Sequence, residues 1–411
     1  MAHGHSHAVG DLDGPPRKRL GVVLAIIVSV ITLISLAAMV SLWPDAGDIP
    51  RDRNPISGEG VSTVSAEVTS VEEFDCGSGG EGPDQLPTVD GNCAAVVADT
   101  DEGPAEFTLD SARTQAGISE GDGIELIRIQ PEGQEVSYEF LDFERGVPLL
   151  ALTALFAALA IVVARWRGLF ALLGVGITLF ALMKFVLPAI LAGEPPLAVA
   201  VVGSTLIMIM LLYLAHGVSI RTTAALFGTL FGIAFTAGVG VWATGWASLT
   251  GIGAEDDRTL VATVPDLNMS SVVAATMVIA GLGVLNDVTV TQASAVWEMR
   301  ALRPTARAAE LFASAMRIGR DHIASSVYTL VFAYAGASMT ILLLITAYQR
   351  DLSQMAATEE IGQEIVRTLV GMIGFVLAVP MTTLCAVALA PPAEDEDEAG
   401  GSHRRRFTPA S

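Results

Sequence analysis

Charge is what this chain has least of. Only 16% of its 411 residues are Asp, Glu, Lys or Arg, against about a quarter in ordinary soluble domains. Bases are the scarcer sign, 23 against 44 acids, for a formal net charge of −21. Without a basic surface to displace phosphate counterions, nucleic-acid binding is excluded. Catalytic signatures are missing too. No HExxH or Walker A pattern occurs, so zinc-protease and P-loop chemistry lack their groups. An intramembrane aspartyl protease needs two aspartates at membrane depth, and the sequence offers Asp287 alone. The expectation is a protein that is not an enzyme, with no cofactor and no resident metal.

What is present is unevenly spread. Between Pro44 and Val147 lie 24 acids and five bases, a net of −19, which leaves only −2 for the rest. The apolar residues occupy the other parts. Leu20 to Leu42 is an uncharged run of 23 residues behind Arg17, Lys18 and Arg19, long enough to cross a hydrocarbon core of about 30 Å. A cleavable signal peptide would have a shorter apolar stretch of about 7–15 residues, so the run reads as a retained anchor. Seven more apolar segments follow: Val147 to Ala164, Gly168 to Leu191, Leu197 to Ala215, Thr222 to Leu249, Ser270 to Trp297, Ser325 to Tyr348 and Ile365 to Ala390.

Eight spans put both termini on one side. The segments then assigned to the cytoplasm hold 14 of the 23 bases, whereas the three outer loops among the later spans hold Arg258 and Arg350 against nine acids. That asymmetry satisfies the positive-inside rule. Residues 44–146 are expected outside the cytoplasm. The fold class expected is a mainly α membrane bundle of about eight transmembrane helices. A small all-β extracytoplasmic domain, an OB-like barrel or a sandwich, is inserted between helices 1 and 2. The organisation reads as a cytoplasmic tail (1–19), an anchor (20–43), a Pro/Gly/Asp-rich linker (44–60), the acidic β domain (61–146), a seven-helix transmembrane domain (147–390) and a disordered, solvated cytoplasmic tail (391–411) with acids at Glu394 to Glu398 and Arg404 to Arg406.

Five strands are predicted in the acidic domain, at Val61 to Val71, Ala94 to Ala98, Ala105 to Leu109, Ile124 to Ile129 and Val136 to Phe143, with Gly-rich turns between them. Cys76 and Cys93 both fall there. In an exported module they suit a disulfide; two free thiols are the alternative. Neither suits catalysis, since the segment holds no His to activate it.

Charged groups inside a span are costly and usually functional. The sixth span carries Asn286 and Asp287, and Thr291, Ser294 and Glu298 follow Asp287 at intervals of four, three and four. These positions form one polar stripe along a helix. A proton or small cation could be relayed along such a stripe; a buried structural Asp that fixes packing is the bland reading. Gly281 and Gly283 could break that helix, or serve close packing, as Gly228, Gly232 and Gly336 are read to do. The next loop brings Arg317, Arg320, Asp321 and His322 to the membrane edge, either as a coupling helix whose Arg320 meets Asp287 or Glu298, or as a basic face on anionic lipid. Lys184 reads as a snorkelling anchor, His216 as a helix-end residue, and His3, His5 and His7 as a loose, unselective metal-binding tail.

Several stretches together resemble a known family: "YEFLDFERG", "RWRGLFALLGVGITLF" with Pro188, "HGVSIRTTAALFGTLFG", "AGLGVLNDVTVTQASAVWE", "MRIGRDHIASSVYTLVFAYAGAS" and "EIVRTLVGMIGFVLAVPMTT". The resemblance is to the YibE/F family of bacterial multi-pass membrane proteins, and it runs from about Val61 to Thr383. It implies a plasma-membrane location, an exported amino-terminal domain joined to a membrane bundle, and a transport role. The matching polar positions are Arg145, His216, Asp287, Glu298, Gly319, Arg320, Asp321, Thr329, Tyr334, Gly336, Glu364 and Pro380. Asn286 and the hydroxyl-rich "TVTQ" depart from the pattern, so the resemblance carries no particular ion. The function expected is a secondary permease or ion-coupled efflux component, with the lipid bilayer and protons or a small cation as partners. The rival is a non-transporting scaffold or assembly factor whose acidic domain binds an envelope protein; a homo-oligomer is compatible with either.

Overall fold

The computed structural model describes residues 15–45, 47, 60–76, 91–130, 133, 135–347 and 351–390. The His3/His5/His7 tail, most of the 44–60 linker and the charged tail after residue 390 lie outside the described residues. The chain divides into two units, residues 1–49 with 170–411, and residues 50–169.

The smaller unit holds β1 (Val61–Asp75), β2 (Asn92–Thr100), β3 (Gly103–Leu109), the single turn α2 (Ser111–Thr114), β4 (Gly123–Ile129), β5 (Ser137–Phe143) and the apolar helix α3 (Gly146–Ala164). The five strands form one antiparallel sheet in the order β3-β2-β1-β4-β5. A two-sheet sandwich is thereby corrected. One long strand replaces the second sheet: β1 pairs with β4 along Val61 to Glu67 and with β2 along Ala66 to Asp75, bulging between Val68 and Ser70. A bulge bends its strand and increases twist, and the outer strands β3 and β5 come into contact as the sheet coils into a half-barrel.

Alternation makes the core of this unit. Ala105, Phe107 and Leu109 of β3 point inward, with Ile124 and Leu126 of β4 and Val68 and Ala66 of β1, while Glu106, Glu125 and Glu67 point outward. Part of the segment's acid is thus carried on the exposed face of a sheet whose other face is apolar. Cys76 at the end of β1 and Cys93 on β2 are bonded, with Cα atoms 5.6 Å apart. Arg145 closes the unit's last turn before α3: its guanidinium lies 2.7 Å from Asp142 and over the Phe143 ring.

The larger unit begins with α1 (Pro15–Ser41) and continues with α4 (Trp166–Ala181), which straddles the boundary, a π-helical turn at Leu182–Val186, and α5 (Leu187–Leu191). The π turn has a local cause. Pro188 has no N–H to return to the carbonyl four residues earlier, and Leu187 N–H bonds to Leu182 O, one residue further back than in an α-helix. Then follow α6 (Pro196–His216), α7 (Ile220–Trp246), α8 (Glu255–Thr263), α9 (Met269–Leu302), α10 (Ala308–Ala337), α11 (Met339–Ala347), α12 (Leu352–Ala356) and α13 (Glu359–Leu389).

Among the described residues seven helices are long and apolar enough to cross a bilayer, and the expected eighth span is instead a bent pair, α10 with α11, at 65°. Gly336 and Ser338 flank the bend, and Gly costs a helix about 1 kcal/mol relative to Ala. Gly336 therefore marks the bend rather than a contact, since a Cβ there would meet nothing. This is a membrane protein: Leu33, Ile34 and Val40 of α1 and Phe332 and Leu343 of α10 and α11 are exposed apolar side chains of the kind lipid covers.

The centre is formed by α7, α9 and α13, which pack against one another more extensively than any other helices. Leu226, Ile233, Leu285, Val288, Phe375 and Val379 fill it. Small residues let the backbones approach, as expected where dispersion drives association in lipid. A Cβ on Gly228 would collide with Thr382, one on Gly374 with Thr236, and one on Gly232 would lie 2.5 Å from a Leu285 methyl.

Two measurements check the smaller unit. Replacing Cys76 and Cys93 by Ser should lower its stability by about 3 kcal/mol, the loss for opening a loop of this length, read by denaturant titration with and without reductant. The Arg145 hydrogen bond and charge hold the Asp142 carboxyl below the ordinary 3.8. The stabilisation from that pair is present above 3.8 and disappears as pH falls through the lowered value. Arg145→Gln should move the Asp142 titration upward in an NMR pH series.

Candidate functional site

The polar stripe stands on α9, whose 34 residues span about 51 Å at 1.5 Å per residue. Its start is fixed by Asn268, whose side chain accepts the Ser271 N–H at 2.9 Å. The helix runs unbroken through Gly281 and Gly283; the expected alternative of a helix break is corrected.

Asp287 lies near the midpoint of α9, and its side chain is 69% exposed. Thr291 and Glu298 are exposed as well, and Ser294 is half-buried. The stripe thus occupies the face of α9 that the rest of the chain leaves open, not the packed interior. Gly283, one turn before Asp287 on the same face, would meet nothing if it had a Cβ. An apolar wall beside the carboxylate is therefore missing on that side.

The partner of Asp287 comes from α10. His322 Nε2 approaches Asp287 Oδ2 at 3.3 Å, with the His side chain 26% exposed. The atom is otherwise covered and makes no hydrogen bond of good geometry, so the contact becomes an ion pair when the imidazole is protonated. The expectation that Arg320 would meet Asp287 or Glu298 is corrected: among the described residues no carboxylate pairs with Arg320. Helical phase explains it. Ala315, Gly319 and His322 follow at intervals of four and three and share the face toward α9 and α13, while Arg320 sits about 100° away from Gly319. Arg320 and Asp321 are both exposed. Asn286 is half-buried, and its covered Oδ1 has no hydrogen-bond partner.

A second polar group lies on the opposite face of α9 and was not picked out from the sequence. Gln292 is 1% exposed. Its Nε2 donates to the Ala315 carbonyl of α10 at 2.9 Å and to Thr383 Oγ1 of α13 at 2.7 Å. One turn away, Thr289 and Thr229 of α7 share a hydrogen bond of 2.8 Å. One α9 face thus bonds to three neighbouring helices. Gly319 makes this possible, because a Cβ there would come within 2.7 Å of Val379 and 3.1 Å of the Gln292 amide. The available signal was phase: Leu285, Thr289, Gln292 and Val296 repeat at four, three and four, a row interleaved with the Asp287 row.

A third group sits at the other end of α10. Glu364 and Arg367 of α13 pair at 2.9 Å with both side chains mostly covered, and Tyr334 of α10 lies within electrostatic reach of both. Arg367 was not singled out in the sequence, although "EIVR" places opposite charges three apart at the start of an apolar run. Among the described residues no group of three or more His, Cys, Asp or Glu side chains could hold a metal ion.

A family model described as YibE/F-like protein matches residues 152–392. The match takes in every helix that carries the site and leaves the β-sheet outside it. No curated protein and no solved structure matches the chain.

The two faces of α9 should respond differently to substitution. Gly319→Val should lower stability by about 2–3 kcal/mol through overpacking, and Gln292→Leu by about 1 kcal/mol through its lost interhelical bonds. Thr291→Ala, on the open face, should leave it unchanged. Thermal unfolding of the purified protein in detergent reads all three.

Proposed function

The chain belongs to the YibE/F-like family, and from that premise we propose that it is a plasma-membrane ion-coupled permease component in which Asp287 and His322 exchange a proton or small cation. One observation carries the reading: two titratable groups on different helices, 3.3 Å apart, on the face of α9 that the rest of the chain leaves open. An ionised carboxylate facing lipid hydrocarbon costs up to about 3 kcal/mol on insertion scales. A neighbouring imidazole and a route for water offset that cost, and an exposed Asp287 is available to both. Thr291, Ser294 and Glu298 extend the route about 16 Å along α9 toward Leu302, which is half the hydrocarbon thickness. Tyr334, Glu364 and Arg367 supply polar groups in the other direction. Arg320 and Asp321 are exposed on α10 beside His322, at the level of the pair.

In this reading the role is non-enzymatic, both termini are cytoplasmic and residues 44–146 are exported. The oxidised Cys76–Cys93 pair supports an exported position for the sheet. The strand order, with β1 paired to both β2 and β4 and a helical turn between β3 and β4, supports an OB-type half-barrel.

Proteoliposomes holding a pH-sensitive dye test the proposal. Under an imposed membrane potential the wild-type protein should acidify or alkalinise the lumen, Asp287→Asn should fall to the protein-free background, and His322→Gln should slow the flux about ten-fold or more. Unchanged flux in Asp287→Asn would sink the relay. The scaffold reading would then stand, with removal of residues 44–145 as the disabling change.

A further inference from the structure

The corner where α9 turns into α10 is built as a cleft. Arg300 fixes the corner from within by donating through Nη1 to the carbonyls of Ala306 at 2.8 Å and Pro304 at 3.3 Å. The last turn of α9 and the first three turns of α10 then stand apart and enclose about 320 Å³. One wall is apolar, made by Met299, Leu302 and Ile318, of which Leu302 is 81% exposed. Arg303 and Arg317 stand at the rim.

Charge in the cleft is unbalanced. Its one acid, Glu310, is matched by Arg307 at 3.7 Å. Arg317 donates to Ser314 Oγ at 3.0 Å, a neutral partner. Among the described residues no carboxylate pairs with Arg303 or Arg317. Two positive charges are therefore unmatched over an exposed leucine and isoleucine. The level in the membrane follows from the same helices. The long apolar run of α9 ends near Trp297, and that of α10 begins after His322. Leu302 and Arg303 lie beyond the α9 run, and Arg317, about two turns deeper on α10, lines the same cleft and can extend its side chain toward the headgroups.

We propose that this cleft binds the phosphate of an anionic phospholipid, with Arg303 and Arg317 on the phosphate and the first methylenes of an acyl chain along Leu302 and Ile318. A free phosphate would satisfy the arginines and leave the leucine and isoleucine in water; a lipid satisfies both. Guanidinium groups suit the task because their forked donors match phosphate oxygens. The site is separate from the Asp287–His322 pair, so it stands or falls independently of the transport reading.

Native mass spectrometry of the full-length protein in non-ionic detergent, titrated with phosphatidylglycerol or phosphatidylcholine of equal chain length, tests it. The wild-type protein should hold phosphatidylglycerol about twenty-five-fold more tightly than phosphatidylcholine. A basic side chain at a lipid surface contributes about a factor of five, so Arg303→Gln with Arg317→Gln should weaken phosphatidylglycerol about twenty-five-fold and leave phosphatidylcholine unchanged. Arg258→Gln, which removes an exposed arginine elsewhere, should change neither. Equal retention by the wild type and the double variant overturns the proposal, as does an equal loss in Arg258→Gln. Inorganic phosphate supplies the remaining arm: failure to displace the lipid at millimolar concentration supports the site, and displacement assigns the cleft to a free anion instead.

Discussion

Gln292 sits where no water reaches, so its amide must find partners on other helices or remain unsatisfied at a cost of a few kcal/mol. It finds a carbonyl on α10 and a hydroxyl on α13. Both bonds require close backbones, and close backbones require the glycines at 228, 319 and 374, none of which leaves space for a Cβ. The arrangement of α7, α9, α10 and α13 thus depends on one constraint: polar groups and small residues must coincide at the same helix crossings. Apolar packing alone would hold these helices in many registers, because leucine contacts are interchangeable in lipid. A side-chain amide with two directed donors selects one of them.

That constraint also settles where Asp287 goes. The Gln292 row and the Asp287 row lie on the same helix, displaced by about 100° or more. Once Leu285, Thr289, Gln292 and Val296 are turned inward, Asp287, Thr291 and Glu298 have no choice but the open face. The helix therefore separates two kinds of polarity. Inside, neutral groups are saturated by neutral partners and act as fasteners. Outside, titratable groups remain exposed, with His322 as the close neighbour of Asp287. A carboxylate could not have taken the interior position without an ionised partner, which the α7–α9–α13 core does not contain among its described buried residues.

Hydropathy and charge made the larger features legible in the sequence. The apolar runs became helices, and the five strands appeared close to their expected positions. What hydropathy could not supply was direction. A period of 3.6 fixes the angle between Asp287 and Gln292, not which of them faces the neighbours; that is decided by glycines on other helices, far away in sequence. For the same reason Arg320 looked like a partner for Asp287, though only His322 shares a face with Gly319. The bend between Ala337 and Met339 was hidden because "AYAGAS" reads equally as a packing motif and as a weak point in a helix. The Glu364–Arg367 pair was overlooked because a matched pair adds nothing to net charge.

α10 is the element on which both faces of α9 converge. It receives the Gln292 bond at Ala315 and presents His322 to Asp287 seven residues later, about 10 Å along its axis. Its first half is clamped by Leu311, Ala315 and Gly319, whereas residues beyond His322 are largely uncovered by the chain and end in the 65° bend. A helix held at one end and free at the other moves by tilting about the clamp, and the displacement grows with distance from it. His322 lies one turn past Gly319, near enough to stay in register with α9 and far enough to feel a tilt. The length of the Asp287–His322 contact therefore registers a lean of α10, though less than groups farther along the helix such as Tyr334. The fasteners inside the bundle set its resting value of 3.3 Å.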